Sequence, residues 1–189
     1  MAAEVIGFAP DGEDAQSVRF DGTNAYVCTA EVITFKDPVY FFDLSDLRNI
    51  TWTDTGTIDG YSTSLIQFGG DYLVGIGFGD RGFLKIEAYA QEEDQVIALA
   101  AYEQKASYSS AYKSYFIDRQ RQLIGLAMMD ADSRISRYVL LHFDGYAFHE
   151  ICVQGIEMRN YAFVRAFMAD GWLYVLTDHY SGIYTQRIS

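Results

Sequence analysis

An all-β chain made of four similar antiparallel sheets is what this sequence predicts, and three features carry the prediction. One is an internal repeat of close to 48 residues, and another is a Gly/Asp turn at the same place in each repeat. The third is a surplus of aromatic residues, 15 Tyr and 13 Phe in 189, with only 2 Pro against 16 Gly. Aromatic side chains favour pleated, half-buried surfaces, and glycine-rich, proline-poor chains punctuate strands with tight turns.

The first strand of each unit runs into its turn in the same way: Ser17-Val18-Arg19-Phe20 before Asp21-Gly22, Leu65-Ile66-Gln67-Phe68 before Gly69-Gly70-Asp71, Ser114-Tyr115-Phe116-Ile117 before Asp118-Arg119, and Val164-Arg165-Ala166-Phe167 before Ala169-Asp170-Gly171. The closing residues Phe20, Phe68, Ile117 and Phe167 are spaced by 48, 49 and 50. Second strands follow, beginning near Tyr26, Tyr72, Leu123 and Trp172. Third strands come at Val39 to Phe42, Phe83 to Ile86, Tyr138 to Leu141 and Ile183 to Thr185. A more polar fourth strand closes the first three units, at Thr51 to Ile58, Gln95 to Glu103 and Ala147 to Val153.

Four short antiparallel strands per 40 to 50 residues is the signature of a β-propeller blade. The blades are expected at about 16–58, 63–103, 111–153 and 161–189, with residues 4–9 supplying the outer strand that the fourth lacks. The stretch Gln95-Val96-Ile97-Ala98-Leu99-Ala100-Ala101-Tyr102 contains good helix formers. Its equivalents in the other units are β-branched or aromatic, which argues for a strand. Four blades close alone, or two chains combine as halves of an eight-bladed ring, and the reading leans to closure within one chain.

Composition excludes several classes of function. Lys and Arg total 14 against 26 Asp and Glu, a net charge of −12 that repels phosphate backbones and anionic lipid, so nucleic acid is set aside. No apolar run reaches the 18 or so residues that span a bilayer, and the N-terminus lacks the basic and apolar regions of a secretion signal. Cys28 and Cys152 belong to different blades at different radii, so they are expected to be buried thiols, not a disulfide.

Across most of the chain, Ser17-Val18-Arg19-Phe20 with Ala25-Tyr26-Val27, Asp37-Pro38-Val39-Tyr40 with Asp43-Leu44-Ser45-Asp46, Gly60-Tyr61-Ser62-Thr63 and Leu73-Val74-Gly75-Ile76-Gly77 resemble the secreted or membrane-anchored bacterial and archaeal proteins with a C-terminal β-propeller distantly related to WD repeats. The resemblance implies a C-terminal part or a shortened member, an extracellular or cell-surface location, and no catalytic residues to carry over.

Chemistry-bearing residues are few. Asp43-Leu44-Ser45-Asp46 reads as a turn whose side chains cap their own backbone. Asp130, Asp132 and Asp178 fall short of the six or more oxygens a calcium ion takes. Gly75, Gly77, Gly79 and Gly82 lie between strands with no helix to complete a phosphate cradle. His142 and His149 fall in strands, His179 in a loop, and no Gly-x-Ser-x-Gly elbow is present. No catalytic residue, metal or cofactor is assigned.

What remains is one face of the propeller, formed by the loops between blades and those between second and third strands. The candidate ligand-binding residues there are Tyr61, Arg81, Tyr108, Arg134, Tyr161, His179 and Tyr180, because interface energy concentrates in aromatic and Arg anchors. The opposite face consists of short turns. The leading reading is a non-catalytic binding or scaffold module that recognises a protein or glycan through the loop face. The alternative is an extracellular hydrolase or lyase using Asp and His residues of the same face.

Overall fold

The computed structural model describes residues 14–30, 38–55, 60–69, 72–79, 81–92, 95–109, 111–179 and 182–188. Its strands are β1 Asp14–Asp21, β2 Asn24–Ala30, β3 Val39–Asp43 and β4 Thr51–Asp54; β5 Tyr61–Gln67, β6 Tyr72–Phe78, β7 Leu84–Glu92 and β8 Gln95–Gln104; β9 Ala106–Tyr108, β10 Phe116–Asp118, β11 Leu123–Asp130, β12 Ser136–Phe143 and β13 Phe148–Gly155; and β14 Arg165–Ala169, β15 Trp172–Leu176 and β16 Ile183–Arg187. Each group forms its own antiparallel sheet in chain order, β1-β2-β3-β4, β5-β6-β7-β8, β10-β11-β12-β13 with β9 also on β11, and β14-β15-β16. The repeats are therefore four blades. The stretch from Gln95 to Tyr102 is strand, as the comparison of repeats indicated, since its residues pair with β7 and Val96 is buried.

Pairing by hairpins makes alternate residues of each strand face one neighbouring blade or the other. Tyr26, Cys28, Val39 and Phe41 of the first blade meet Leu65, Leu73, Tyr89 and Val96 of the second. Val74, Ile76, Leu84 and Ile86 of the second meet Ile124, Leu126, Val139 and Leu141 of the third. Leu123, Tyr138, Leu140 and Cys152 of the third meet Val164, Leu173 and Val175 of the fourth. Cys28 and Cys152 are free, buried thiols in separate clusters.

The innermost strands share a second feature. β1 shifts register against β2 between Ala15 and Ser17, and β5 against β6 between Ser62 and Ser64. In the third blade the disruption widens: β9 pairs with Met128–Asp130, β10 pairs with Leu123–Gly125, and a 3-10 turn at Tyr112–Ser114 fills the gap. Sequence reading placed Ser114 in a strand; it ends this turn instead. A similar turn, Tyr161–Phe163, precedes β14, with the Asn160 side chain accepting from Ala162 N. Bulges re-aim side chains locally, here next to the propeller axis.

The proposed pairing of residues 4–9 with the last blade lies outside the described residues, and so does Tyr180. No helix among the described residues is long and apolar enough to cross a membrane.

Candidate functional site on the loop face

The β6–β7 turn is closed by Gly79 N to Phe83 O at 2.8 Å and Gly82 N to Gly79 O at 2.9 Å, with Gly82 at φ +70°. It carries Arg81 into solvent beside a groove of about 450 Å³, whose walls include Phe83, Glu103, Gln104 and Lys105. A Cβ on Gly79 would stand 3.5 Å from Glu103 Oε1, so the missing side chain leaves the carboxylate free access. Lys105 Nζ bonds Asp132 Oδ1 at 2.6 Å, and Arg137 donates to Gln104 Oε1 at 3.0 Å. The groove thus has both signs of charge and an aromatic wall.

On the third blade the β11–β12 turn is held by Asp130, whose Oδ1 accepts from Ser133 N at 2.7 Å, Ser133 Oγ at 2.9 Å and Asp132 N at 3.0 Å. Those bonds, the Ser133 N–H first, hold the Asp130 carboxyl below its ordinary value. Arg134 then adopts φ +60° and stands exposed. Its charge reaches Tyr161, where burial raises the phenol and the Arg134 guanidinium works against the rise.

The linker into the fourth blade is anchored by the β15–β16 loop. Thr177 Oγ1 donates to Glu157 O at 2.7 Å, Glu157 N donates to the Tyr184 hydroxyl at 2.7 Å, and His179 Nδ1 lies 3.1 Å from Glu157 Oε2. Asp178 Oδ1 accepts from Arg159 N at 2.8 Å, and its carboxyl is lowered by that bond first. Asp130 and Asp178 therefore spend acceptors on backbone. Among the described residues no three Asp, Glu, His or Cys side chains are grouped to hold a metal ion.

Tyr61 and Tyr108 share a row of rings with Phe78. Centroids are 5.4 Å apart from Tyr61 to Phe78 and 5.1 Å from Phe78 to Tyr108, and the Tyr108 hydroxyl is 3.4 Å from Thr63 Oγ1. Burial, foremost, raises the Tyr108 phenol. These two tyrosines stiffen the junction of the second and third blades and leave only part of each ring exposed. The structure accordingly divides the predicted residues: Tyr61 joins Tyr108 through Phe78, Arg134 lies near Tyr161, His179 lies beside Glu157, and Arg81 stands over its own groove. Sequence reading missed Glu103, Gln104 and Lys105. Their signal was the polar run Glu103-Gln104-Lys105 at and just past the end of β8, after its apolar stretch Val96 to Tyr102.

Successive antiparallel sheets of three to five strands, each packed face to face on the next, with loops gathered on one face, are the arrangement of β-propeller blades. The sequence matches the Beta propeller domain family over residues 1–180. The chain belongs to that family. It is also similar to an uncharacterized protein of Methanocaldococcus jannaschii, 38% identical over 80 residues, which is 41% of this chain and 12% of that protein. This chain therefore spans only a small part of that relative's length.

Proposed function

We propose that this propeller is a non-catalytic binding or scaffold module that recognises a protein or glycan through its loop face, at the cell surface or outside the cell. The observation that carries the reading is the mixed-charge groove under Arg81, whose aromatic wall is Phe83, on the same loop face as the ring row of Tyr61, Phe78 and Tyr108. An aromatic wall beside an exposed guanidinium makes efficient contact surface. Paired signs of charge suit a mixed-charge protein surface or an uncharged glycan over a polyanion.

The shifts of titratable groups support binding over catalysis. A general acid or base works best with a pKa near the operating pH. Here the shifts run the other way: Asp43, Asp130, Asp144 and Asp178 are lowered by hydrogen bonds from their own turns, while Tyr89, Tyr102, Tyr108 and Tyr138 are raised by burial.

The test compares two sets of variants against arrayed glycans and immobilised extracellular proteins. Arg81→Ala with Glu103→Ala, and separately Arg134→Ala, alter the loop face; Asp21→Asn and Asp46→Asn alter the turn face. Binding lost only in the loop-face variants is expected. Binding lost only in the turn-face variants would move the site to the other side and end the proposal.

A further inference from the structure

A second concavity lies on the propeller axis, away from the loop-face groove. It has a volume of about 870 Å³ and is walled by the inner strands of all four blades, within the range of small-molecule sites. Its lining includes the apolar residues Val18, Ile66, Phe116 and Met168, with Leu65 behind them in the core between the first two blades. Its charged wall holds Arg19, Arg119 and Arg121 against one carboxylate, Asp118.

That imbalance is unexpected in a chain of net charge −12. Three arginines line one cavity, and an anion bound there would be attracted by all three. Asp118 does little to offset them. Its Oδ1 accepts from Gln120 N at 3.1 Å and Arg121 N at 3.0 Å, closing the β10–β11 turn, and its Oδ2 is 3.8 Å from Arg121 Nε. Arg19 Nε–H is buried with no hydrogen-bond partner, a donor whose burial is costly unless a ligand accepts from it. Among the described residues Arg119 makes no ion pair.

We infer that the axial cavity binds a small organic anion bearing a carboxylate on a body with an apolar face, its carboxylate held by Arg19, Arg119 and Arg121 and its body against Val18, Ile66 and Phe116. The guanidinium fork matches a carboxylate in a bidentate manner. A phosphate cradle would recruit backbone N–H groups, but the turn's available ones, Gln120 and Arg121, already donate to Asp118. The inference is independent of the loop-face reading, because its residues lie on the axis and on the turn side.

Two probes separate the sources of such a carboxylate: digalacturonate for an acidic glycan, and acetyl-Ala-Ala-Phe for a peptide C-terminus. Their neutral controls are the dimethyl ester and the carboxamide. Calorimetric and NMR titration of the intact chain should show at least one acid binding. Its neutral form should bind at least about tenfold more weakly, with amide shifts centred on Leu65, Ile66, Phe116 and Ile117. Arg119→Ser with Arg121→Ser, both exposed turn residues, should weaken the acid about tenfold with the melting curve unchanged. Arg81→Ala with Glu103→Ala should leave it untouched. Neither acid binding, acid and neutral forms binding alike, shifts elsewhere, or inorganic phosphate competing on equal terms would each overturn the inference.

Discussion

The junction of the second and third blades and the outward face of the fourth are built from the same strand pattern with opposite results. At the junction, Val74, Ile76, Leu84 and Ile86 are 0% exposed. On the fourth blade, Trp172, Tyr174 and Leu176 hold the matching alternate positions of the second strand, and Phe167 and Ile183 lie opposite Tyr174 and Leu176. There Trp172 is 40% exposed, Phe167 48% and Ile183 68%. Alternation therefore specifies a face, and only a neighbouring sheet turns it into a core. The fourth blade's two sides make the point within one sheet, since Leu173 and Val175, on the side toward the third blade, are both 1% exposed.

The sharpest test of that comparison sets one phenylalanine against another. Phe143 is fully buried against Phe68, Tyr72 and Phe148, with ring centroids 6.5, 5.2 and 5.0 Å away. Phe143→Ala removes this burial and leaves a cavity, at a cost of about 3–5 kcal/mol. Phe167 stacks on Tyr174 at 4.8 Å with 4° between planes, but half of it meets solvent. Phe167→Ala should cost about 1 kcal/mol, the value of a ring pair. Urea titration measures both, and equal losses would mean that the outer face of the fourth blade behaves as a core.

Backbone proximity gives the next largest effect. A Cβ on Gly77 would overlap the Tyr61 carbonyl oxygen and stand 2.6 Å from Ser62 Cα, both backbone atoms of the paired strand. Gly77→Ala must push β5 off β6, and about 1–3 kcal/mol follows from overpacking of this kind. Gly155 ends β13 with nothing within 4 Å of its would-be Cβ. Gly155→Ala should fall within about 0.5 kcal/mol of the parent. A tolerated Gly77→Ala would show that the inner hairpin of the second blade can give way.

These contrasts show how much the sequence could reveal. Spacing of Phe20, Phe68, Ile117 and Phe167 located the blades because the hairpin turn repeats at fixed distance from each inner strand, and turn chemistry is local. The helix-forming stretch at Gln95 was resolved by comparing repeats, since propensity yields to sheet packing. The 3-10 turn at Tyr112–Ser114 was not legible, because it depends on how far the third inner strand must detour around the axis. Site residues were the hardest to read. Tyr61 and Tyr108 carry the same side chain as an exposed anchor, yet they meet through Phe78, a contact that closes only when two blades pack. Arg19, Arg119 and Arg121 line one cavity from the first and third repeats, a relation no local motif encodes.

A hydrogen bond across the same junction sharpens the comparison on its polar side. The Tyr102 hydroxyl donates to Glu150 Oε1 at 2.5 Å, linking the second and third blades. Burial, then that bond, raises the phenol far above its ordinary value, so it stays a donor through the alkaline range. Tyr102→Phe should cost about 1 kcal/mol, below the range for a bond to a charged acceptor because Glu150 is exposed. Tyr174→Phe on the outer face should change stability by less than about 0.5 kcal/mol. The same urea titrations decide it, and matching values for the two would remove any role of the Tyr102 hydroxyl in holding the blades together.

The smallest effect belongs to an exposed site, the β12–β13 turn, where Gly145 adopts φ +96°. Asp144 Oδ1 accepts from Tyr146 N and Ala147 N, both at 2.8 Å, and its Oδ2 is 2.8 Å from His149 Nε2. The Tyr146 N–H, then the Ala147 N–H, then the His149 contact pull the Asp144 carboxyl down to about 2 from its ordinary 3.8. A carboxyl with a depressed folded-state pKa contributes stability that is fully present above the unfolded value and is lost as pH falls through the folded one. The window for Asp144 is therefore between about pH 4 and pH 2. Asp144→Asn keeps an acceptor for the two N–H groups but does not titrate, so it should flatten the fall in urea midpoint across that window while changing little at neutral pH. Because the turn is open to solvent, added salt should shrink the His149 part of the effect and spare the backbone part. Parent and Asp144→Asn curves that fall in parallel from pH 4 to pH 2 would show that this turn contributes nothing to acid sensitivity, which would then rest with carboxylates such as Asp130 and Asp178 on the loop face.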